Sequence, residues 1–338
     1  MKSSFTSFLL SLLAVILSFP AISAAADDSL VIYSGRSDKF VKPVITEFTR
    51  QTGIKVILHS GESTALLNKL RIEGKRTEAD LFLSNDAGNL QRGSEWNLFR
   101  AINHTLVTPI DKTYRSANHR WVGLSARARV LVVNTQGPWA DKLDSVFDLA
   151  DPALKGQLGI TNSTNGSYIA GVTVYMLAAG KDKTRQWLEG MKANVDGKVF
   201  NKHSKIVKAV ASGKLQAGLV NHYYIYRHLD KHPDAPIKIV MPDQGKDGMG
   251  IAWNVAGIAI TKNTQKAELA EKLVAYLISA EGQKQFAEVN REYPTRTGVA
   301  ASSVIPAAGS YRVADVPMAD LGKQRNATLS LIEQVGMP

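Results

Sequence analysis

The chain has 338 residues, a formal net charge of +11 and no cysteine. The absence of cysteine excludes a disulfide framework, a thiolate metal site and a lipid-acylation motif. The basic residues are scattered, with no run longer than two, so the charge does not mark a nucleic-acid-binding stripe; solubility or an anionic ligand accounts for it better.

Residues 1–26 read as a targeting signal. Lys2 gives a positive start, Phe8 to Phe19 is an apolar run broken only by Ser11 and Ser18, and Ser23-Ala24-Ala25-Ala26 precedes Asp27-Asp28. The run is shorter than the ~20 residues of a membrane-spanning helix. Cleavage after Ala24 to Ala26 is therefore expected, and the protein from 27 onward is expected in the periplasm, not inserted in a membrane.

Leu30 to Ser34 reads as a short buried strand ended by Gly35. Asp38 is expected to cap a helix with Phe40, Val41, Val44, Ile45 and Phe48 inward and Gly53 at its close. Ile54 to Leu58 is a second strand, followed by the loop Ser60-Gly61-Glu62. Ser63 or Thr64 then caps a helix carrying Leu66, Leu67, Leu70 and Ile72, which Gly74 ends. Ala79 to Leu83 is a third strand. This alternation implies a parallel sheet with helices on both faces.

Trp121 to Asn134 holds the most strand-like run, Val130-Leu131-Val132-Val133, long enough to leave one lobe and enter another. Ile160-Thr161 ends a strand, Asn162 to Ser167 is a small polar loop, and Tyr168 opens a helix through Ala179. Ser204 to Ala211 is a helix, and Ala217 to Val220 is a strand that delivers Tyr223, Tyr224, Tyr226 and Arg227. Val255 to Ile260 suits a return crossover, Gln265 to Ser279 a helix, and Arg291 to Pro294 a loop. The last 35 residues read as weak helix.

Enzyme motifs are absent: there is no Gly-x-Ser-x-Gly elbow, Walker loop or Gly-x-Gly-x-x-Gly after a strand. The histidines lack the His-Glu-x-x-His pattern of a zinc hydrolase, and His228 with His232, before Pro233, reads as a solvated helix end. What remains is oxygen-rich: Tyr168, Tyr223 and Tyr224 all lie at strand ends or helix starts, where open α/β sheets bind ligands. A phenol titrates near ~10 and needs a strong cation to ionise at neutral pH. Ferric iron, hard and trivalent, suits phenolate oxygen. Three phenolates and one ferric ion are neutral together, so a completing anion needs a nearby cation, and Arg36 or Arg227 can supply it. On the residues alone, this cluster stays open between a packed aromatic group and a metal site.

In several segments the chain resembles the periplasmic ferric-iron-binding proteins of ABC transporters, the tyrosine-ligated, transferrin-like group. They are Val31-Ile32-Tyr33-Ser34-Gly35-Arg36, Glu78-Ala79-Asp80-Leu81, Asp86 to Leu90, Leu124 to Val130, Asp151-Pro152 with Lys155-Gly156, Asn221-His222-Tyr223-Tyr224, and Glu292-Tyr293-Pro294. The resemblance implies a type II, Venus-flytrap fold: two α/β lobes joined by crossover strands near 126–132 and 255–260. Lobe 1 is then 27–126 plus 258–300, and lobe 2 is 127–257 plus 301–338.

The same resemblance implies Tyr168, Tyr223 and Tyr224 as ligands of Fe3+, an inner-membrane ABC permease as partner, a monomer, and no catalysed reaction. Many members carry His-Tyr after the first-strand arginine; here Ser37-Asp38 stands there. The chain therefore resembles the subgroup that completes the site with a synergistic anion such as carbonate. Arg36, Ser37, Arg127, Asn221 and Arg227 are expected around that anion or behind the ligands. Tyr33 is a lesser candidate, expected in the core or behind the ligands, and Tyr226 is expected in packing. Asp38 and Glu62 are lesser candidates, the first better read as a helix cap and the second as a loop residue facing the cleft. Two rivals are carried: the same fold binding a small anion or organic solute without metal, and an exported metal-assisted hydrolase.

Overall fold

The computed structural model describes residues 29–338; the expected signal segment, 1–26, lies outside the described residues. The chain opens as a β–α–β–α–β unit: β1 (Ser29–Ser34), α1 (Lys42–Thr52), β2 (Lys55–Ser60), α2 (Ser63–Glu73) and β3 (Leu81–Ser84). β1 pairs in parallel with both β2 and β3. Val44, Ile45 and Phe48 bury one face of α1, and Gly53 closes the helix in the left-handed region at φ 74°, a conformation that favours glycine.

Two expected caps differ. Asp38 does not cap α1: Asp38–Phe40 form a separate turn of 3-10 helix, and Val41 precedes α1, whose first turn holds Pro43. A proline there fixes the helical φ without losing an intrahelical bond, so the helix starts later than the side-chain signal. Asp38 instead accepts from Ser60 Oγ at 2.5 Å and pairs with Lys42 Nζ at 2.8 Å. The residue before α2 is Glu62, because the Ser63 hydroxyl accepts from the Asn85 backbone N–H at 3.0 Å.

α3 (Ala87–Glu95) and the short α4 (His104–Val107) lead to β4 (Val122–Asn134), buried along all its thirteen residues. There follow β5 (Leu158–Thr161), α5 (Gly166–Ala179), α6 (Lys181–Val195), β6 (Val199–Phe200), α7 (His203–Ala211), β7 (Ala217–Asn221), α8 (His222–Leu229) and β8 (Ile237–Val240). β9 (Trp253–Ile260), α9 (Ala267–Leu277), α10 (Ala280–Asn290), β10 (Tyr293–Pro294), α11 (Asp320–Lys323) and α12 (Arg325–Val335) complete the chain. The expected loop at 291–294 is thus partly strand, with Tyr293 and Pro294 paired antiparallel to Ala126 and Ser125. Among the described residues no helix is long and apolar enough to cross a membrane.

The sheet order is β2-β1-β3-β9-β4-β7-β5-β6. β9 and β4 hold the middle of the sheet, between β2-β1-β3 on one side and β7-β5-β6 on the other. The first part of β4 pairs with β9 and β10, and its second part with β7 and β8. β9 passes on to pair with β3. A strand flanked on both sides must be apolar or have its polar side chains absorbed by the site, and β4 carries two arginines.

Candidate metal centre

Three elements converge where β4 passes between the lobes. α8 starts directly at the end of β7, so Tyr223 and Tyr224 occupy its first turn. α5 starts after a polar loop, and Asn165 caps it by accepting from the backbone N–H groups of Ser167 and Tyr168 at 3.0 and 3.3 Å. β4 supplies Arg127 and Arg129, each 4% exposed.

Tyr223 and Tyr224 stand with ring centroids 4.5 Å apart. Phe40, from the 3-10 turn after β1, meets them edge-on at 5.5 and 6.4 Å. The Tyr223 hydroxyl accepts from Asn221 Nδ2 at 3.2 Å. Tyr168 is buried, and its hydroxyl has no hydrogen-bond partner among the described residues. Burial pushes the Tyr168 and Tyr224 phenols well above their ordinary range; the Arg129 guanidinium opposes this at Tyr168, and the Tyr223 phenol adds to it at Tyr224.

Asn221 is the junction. Its Oδ1 accepts from Arg129 Nη1 at 3.1 Å, and its Nδ2 reaches Ser167 Oγ at 3.4 Å as well as Tyr223. Arg129 faces the phenols of Tyr175, Tyr168 and Tyr223, and burial lowers its guanidinium to about 10. Its Nε and Nη2 have no partner. Arg127 spends Nη2 on the Asn85 carbonyl. Among the described residues neither β4 arginine forms an ion pair. A buried cation without a counter-charge is costly, so the site carries positive charge that a bound anion or phenolate would offset.

Arg36 is differently placed. Its Nη2 donates to both Glu292 carboxylate oxygens at 2.8 Å, and its Nη1 donates to Ser125 Oγ at 2.9 Å. Among the described residues Nε lacks a partner, and Nη1 keeps a second N–H beyond its bond to Ser125, so two of the five N–H groups are not spent on Glu292 or Ser125. Ser37 is exposed beside it and lines a cleft of about 470 Å³ together with Arg36, Phe40, Glu62, Asn85, His203 and Tyr224. Arg227 donates to the Val289 carbonyl at 3.2 Å and lies over the Phe40 ring at 5.1 Å. Glu62 is exposed at the cleft wall, and Asp38 is held by Ser60 and Lys42. Tyr33 lies outside the cluster, its hydroxyl donating to Glu73 at 2.9 Å. Tyr226 meets the His222 ring edge-on at 6.3 Å.

Three further residues of the site have no signal in the sequence. Arg129 stands in an apolar strand with nothing nearby to mark its partners, and Glu292 is 256 residues from its partner Arg36. His203, buried, packs on the Tyr224 ring at 5.1 Å and contacts Arg129 Nη1 at 3.3 Å; a single histidine at a helix start gives no such signal. His222 accepts from the Ala128 N–H at 3.1 Å and meets the Arg291 carbonyl at 2.7 Å.

Known proteins agree with this architecture. A model of the bacterial extracellular solute-binding proteins matches residues 44–312. The major ferric iron-binding protein of Neisseria meningitidis is 30% identical over 94% of this chain and 95% of its own. Iron-bound HitA from Pseudomonas aeruginosa superposes with a TM-score of 0.85 at 26% identity, over 91% of this chain and 99% of that one. The Trichodesmium IdiA (FutA) protein in complex with iron and citrate gives 0.80 at 30% identity, over 92% and 100%. The chain belongs to the bacterial extracellular solute-binding protein family, in which these ferric iron-binding proteins are its relatives.

Proposed function

We propose that the protein captures ferric iron in the interlobe cleft, with the phenolates of Tyr168, Tyr223 and Tyr224 as ligands and a small anion such as carbonate completing the coordination. The observation that carries this reading is the buried Tyr168 hydroxyl with no protein partner, near a buried arginine with two unmatched N–H groups. A protein rarely leaves buried polar atoms unmatched unless something else meets them. Three phenolates neutralise a trivalent ion, and the completing anion then faces Arg127, Arg129 and the free Nε of Arg36. Relatives named for ferric iron, and one solved with iron and citrate, support the same cargo.

In this reading the protein is a periplasmic monomer that performs no reaction. Lobe closure about β4 and β9 brings Phe40 and Arg36 against the tyrosines, and the loaded form hands its iron to an inner-membrane ABC permease. Ferric iron added to iron-free protein gives a visible phenolate charge-transfer band, and Tyr223→Phe with Tyr224→Phe removes it. An unchanged band and affinity in that variant overturn the assignment. Tight binding of an anion with no metal uptake selects the metal-free reading instead.

A further inference from the structure

Beside the cleft lies a second cavity, about 270 Å³, between α7 and α8. Its wall holds Lys39, Lys208, Arg227, His228, Lys231 and His232. It shares Lys39, Ser204 and Tyr224 with the cleft, so the two spaces adjoin at these residues. No carboxylate lines it. Lys39, Lys208 and Lys231 are exposed and form no ion pair among the described residues. Asp230, the acid on the same helix end, is turned to Arg291 at 3.5 Å. Lys202, which forms no ion pair among the described residues, adds a further cation at the cleft wall.

Like charges gathered without counter-ions repel one another, and a concave cationic wall concentrates anions. A single small anion bound at the metal does not need this second volume. The geometry points to a cargo that arrives as a ferric chelate, and we propose that the side pocket receives the free anionic arm of a polyanionic chelator. That chelator carries several carboxylates or phosphates; one end reaches the metal beside Tyr224 and the other lies against Lys208 and Lys231. This inference rests on the iron reading above and adds the chemical class of the complex delivered.

Lys208→Gln with Lys231→Gln changes the far wall and leaves the tyrosines and β4 arginines intact. Iron-free protein is titrated calorimetrically with citrate and with inorganic pyrophosphate. Ferric iron is then supplied with bicarbonate alone, as ferric citrate, or as ferric pyrophosphate. The expected result is roughly tenfold weaker capture from the citrate or pyrophosphate source and unchanged capture with bicarbonate, since each exposed cation contributes modestly. Lys272→Gln with Lys284→Gln, the same charge change elsewhere, leaves all sources unchanged. The source that loses more identifies carboxylate or phosphate as the preferred group. Equal capture by parent and pocket variant from every source overturns the inference, as does an equal loss in the Lys272/Lys284 control. If no source loads iron, the metal reading fails; citrate or pyrophosphate binding that the pocket substitutions abolish still upholds the anion pocket.

Discussion

Arg36 and Glu292, 256 residues apart in the chain, form a buried ion pair in which one guanidinium nitrogen reaches both carboxylate oxygens at 2.8 Å. Ser125 Oγ, on β4, bonds both partners at 2.9 and 2.8 Å. The loop after β1 is thereby tied to the segment before β10 across the crossover strand. Removing one partner leaves a buried charge unmet, which costs about 3–5 kcal/mol. Glu292→Ala is expected to lower the urea midpoint accordingly, while Arg36→Met with Glu292→Met comes within about 1–2 kcal/mol of the parent because both charges leave together. A single variant as stable as the parent contradicts this.

Tyr168→Phe separates folding from binding. The hydroxyl it removes has no protein partner, so iron-free stability is expected to change by less than about 0.5 kcal/mol or to rise. Iron affinity is expected to fall by roughly a hundredfold or more, about 3 kcal/mol. Urea unfolding of the iron-free form and competitive iron titration read the two effects. A large stability loss with intact affinity would make Tyr168 a structural residue only.

Arg129→Met keeps the length of the side chain and deletes its charge. The guanidinium faces Tyr175, Tyr168 and Tyr223 with no carboxylate paired to it, so its expected role is to offset negative charge in the filled site. Loss of at least about tenfold in iron affinity is expected, equivalent to one pKa-unit-sized interaction, ~1.4 kcal/mol. Arg129→Lys keeps the charge but not the guanidinium geometry that reaches Asn221 Oδ1 and is expected to fall between. Identical affinities in all three forms would remove Arg129 from the site.

The pH dependence has a definite sign. Burial holds the Tyr168 and Tyr224 phenols above their ordinary range, so the iron-free protein keeps both protons at neutral pH. Ferric binding must expel them, and mass action then weakens binding as protons become more available. Affinity is expected to fall by at least about tenfold per pH unit on going from mildly alkaline to mildly acidic solution. Calorimetry in buffers of different ionisation enthalpy should count about two or three protons released per iron by the same linkage. Binding with no proton release would show that the phenols are not ligands.

Much of the molecule was legible in the residues. Apolar spacing marked α1 and α2, and the β-branched runs marked β4 and β9, because a strand flanked on both sides must be apolar. The adjacent tyrosines after β7 stood out because phenols at a strand end are unusual in a core. Caps were less legible: Asp38 has the chemistry of a cap, yet Pro43 sets the helix start. The polar helix α10 was missed because its buried Gln283 breaks the apolar pattern; its amide bonds the carbonyls of Leu124 and Leu277.

By itself the sequence determined the α/β class, the crossover strands and the tyrosines, since local periodicity and residue chemistry are written in neighbouring positions. Only the tertiary structure decided how the arginines divide their work. Arg36 is committed to Glu292, whereas Arg129, on the fully buried β4, keeps two donors unmatched beside the phenols. Whether a buried charge is neutralised depends on groups brought together from distant parts of the chain, and no local pattern records that.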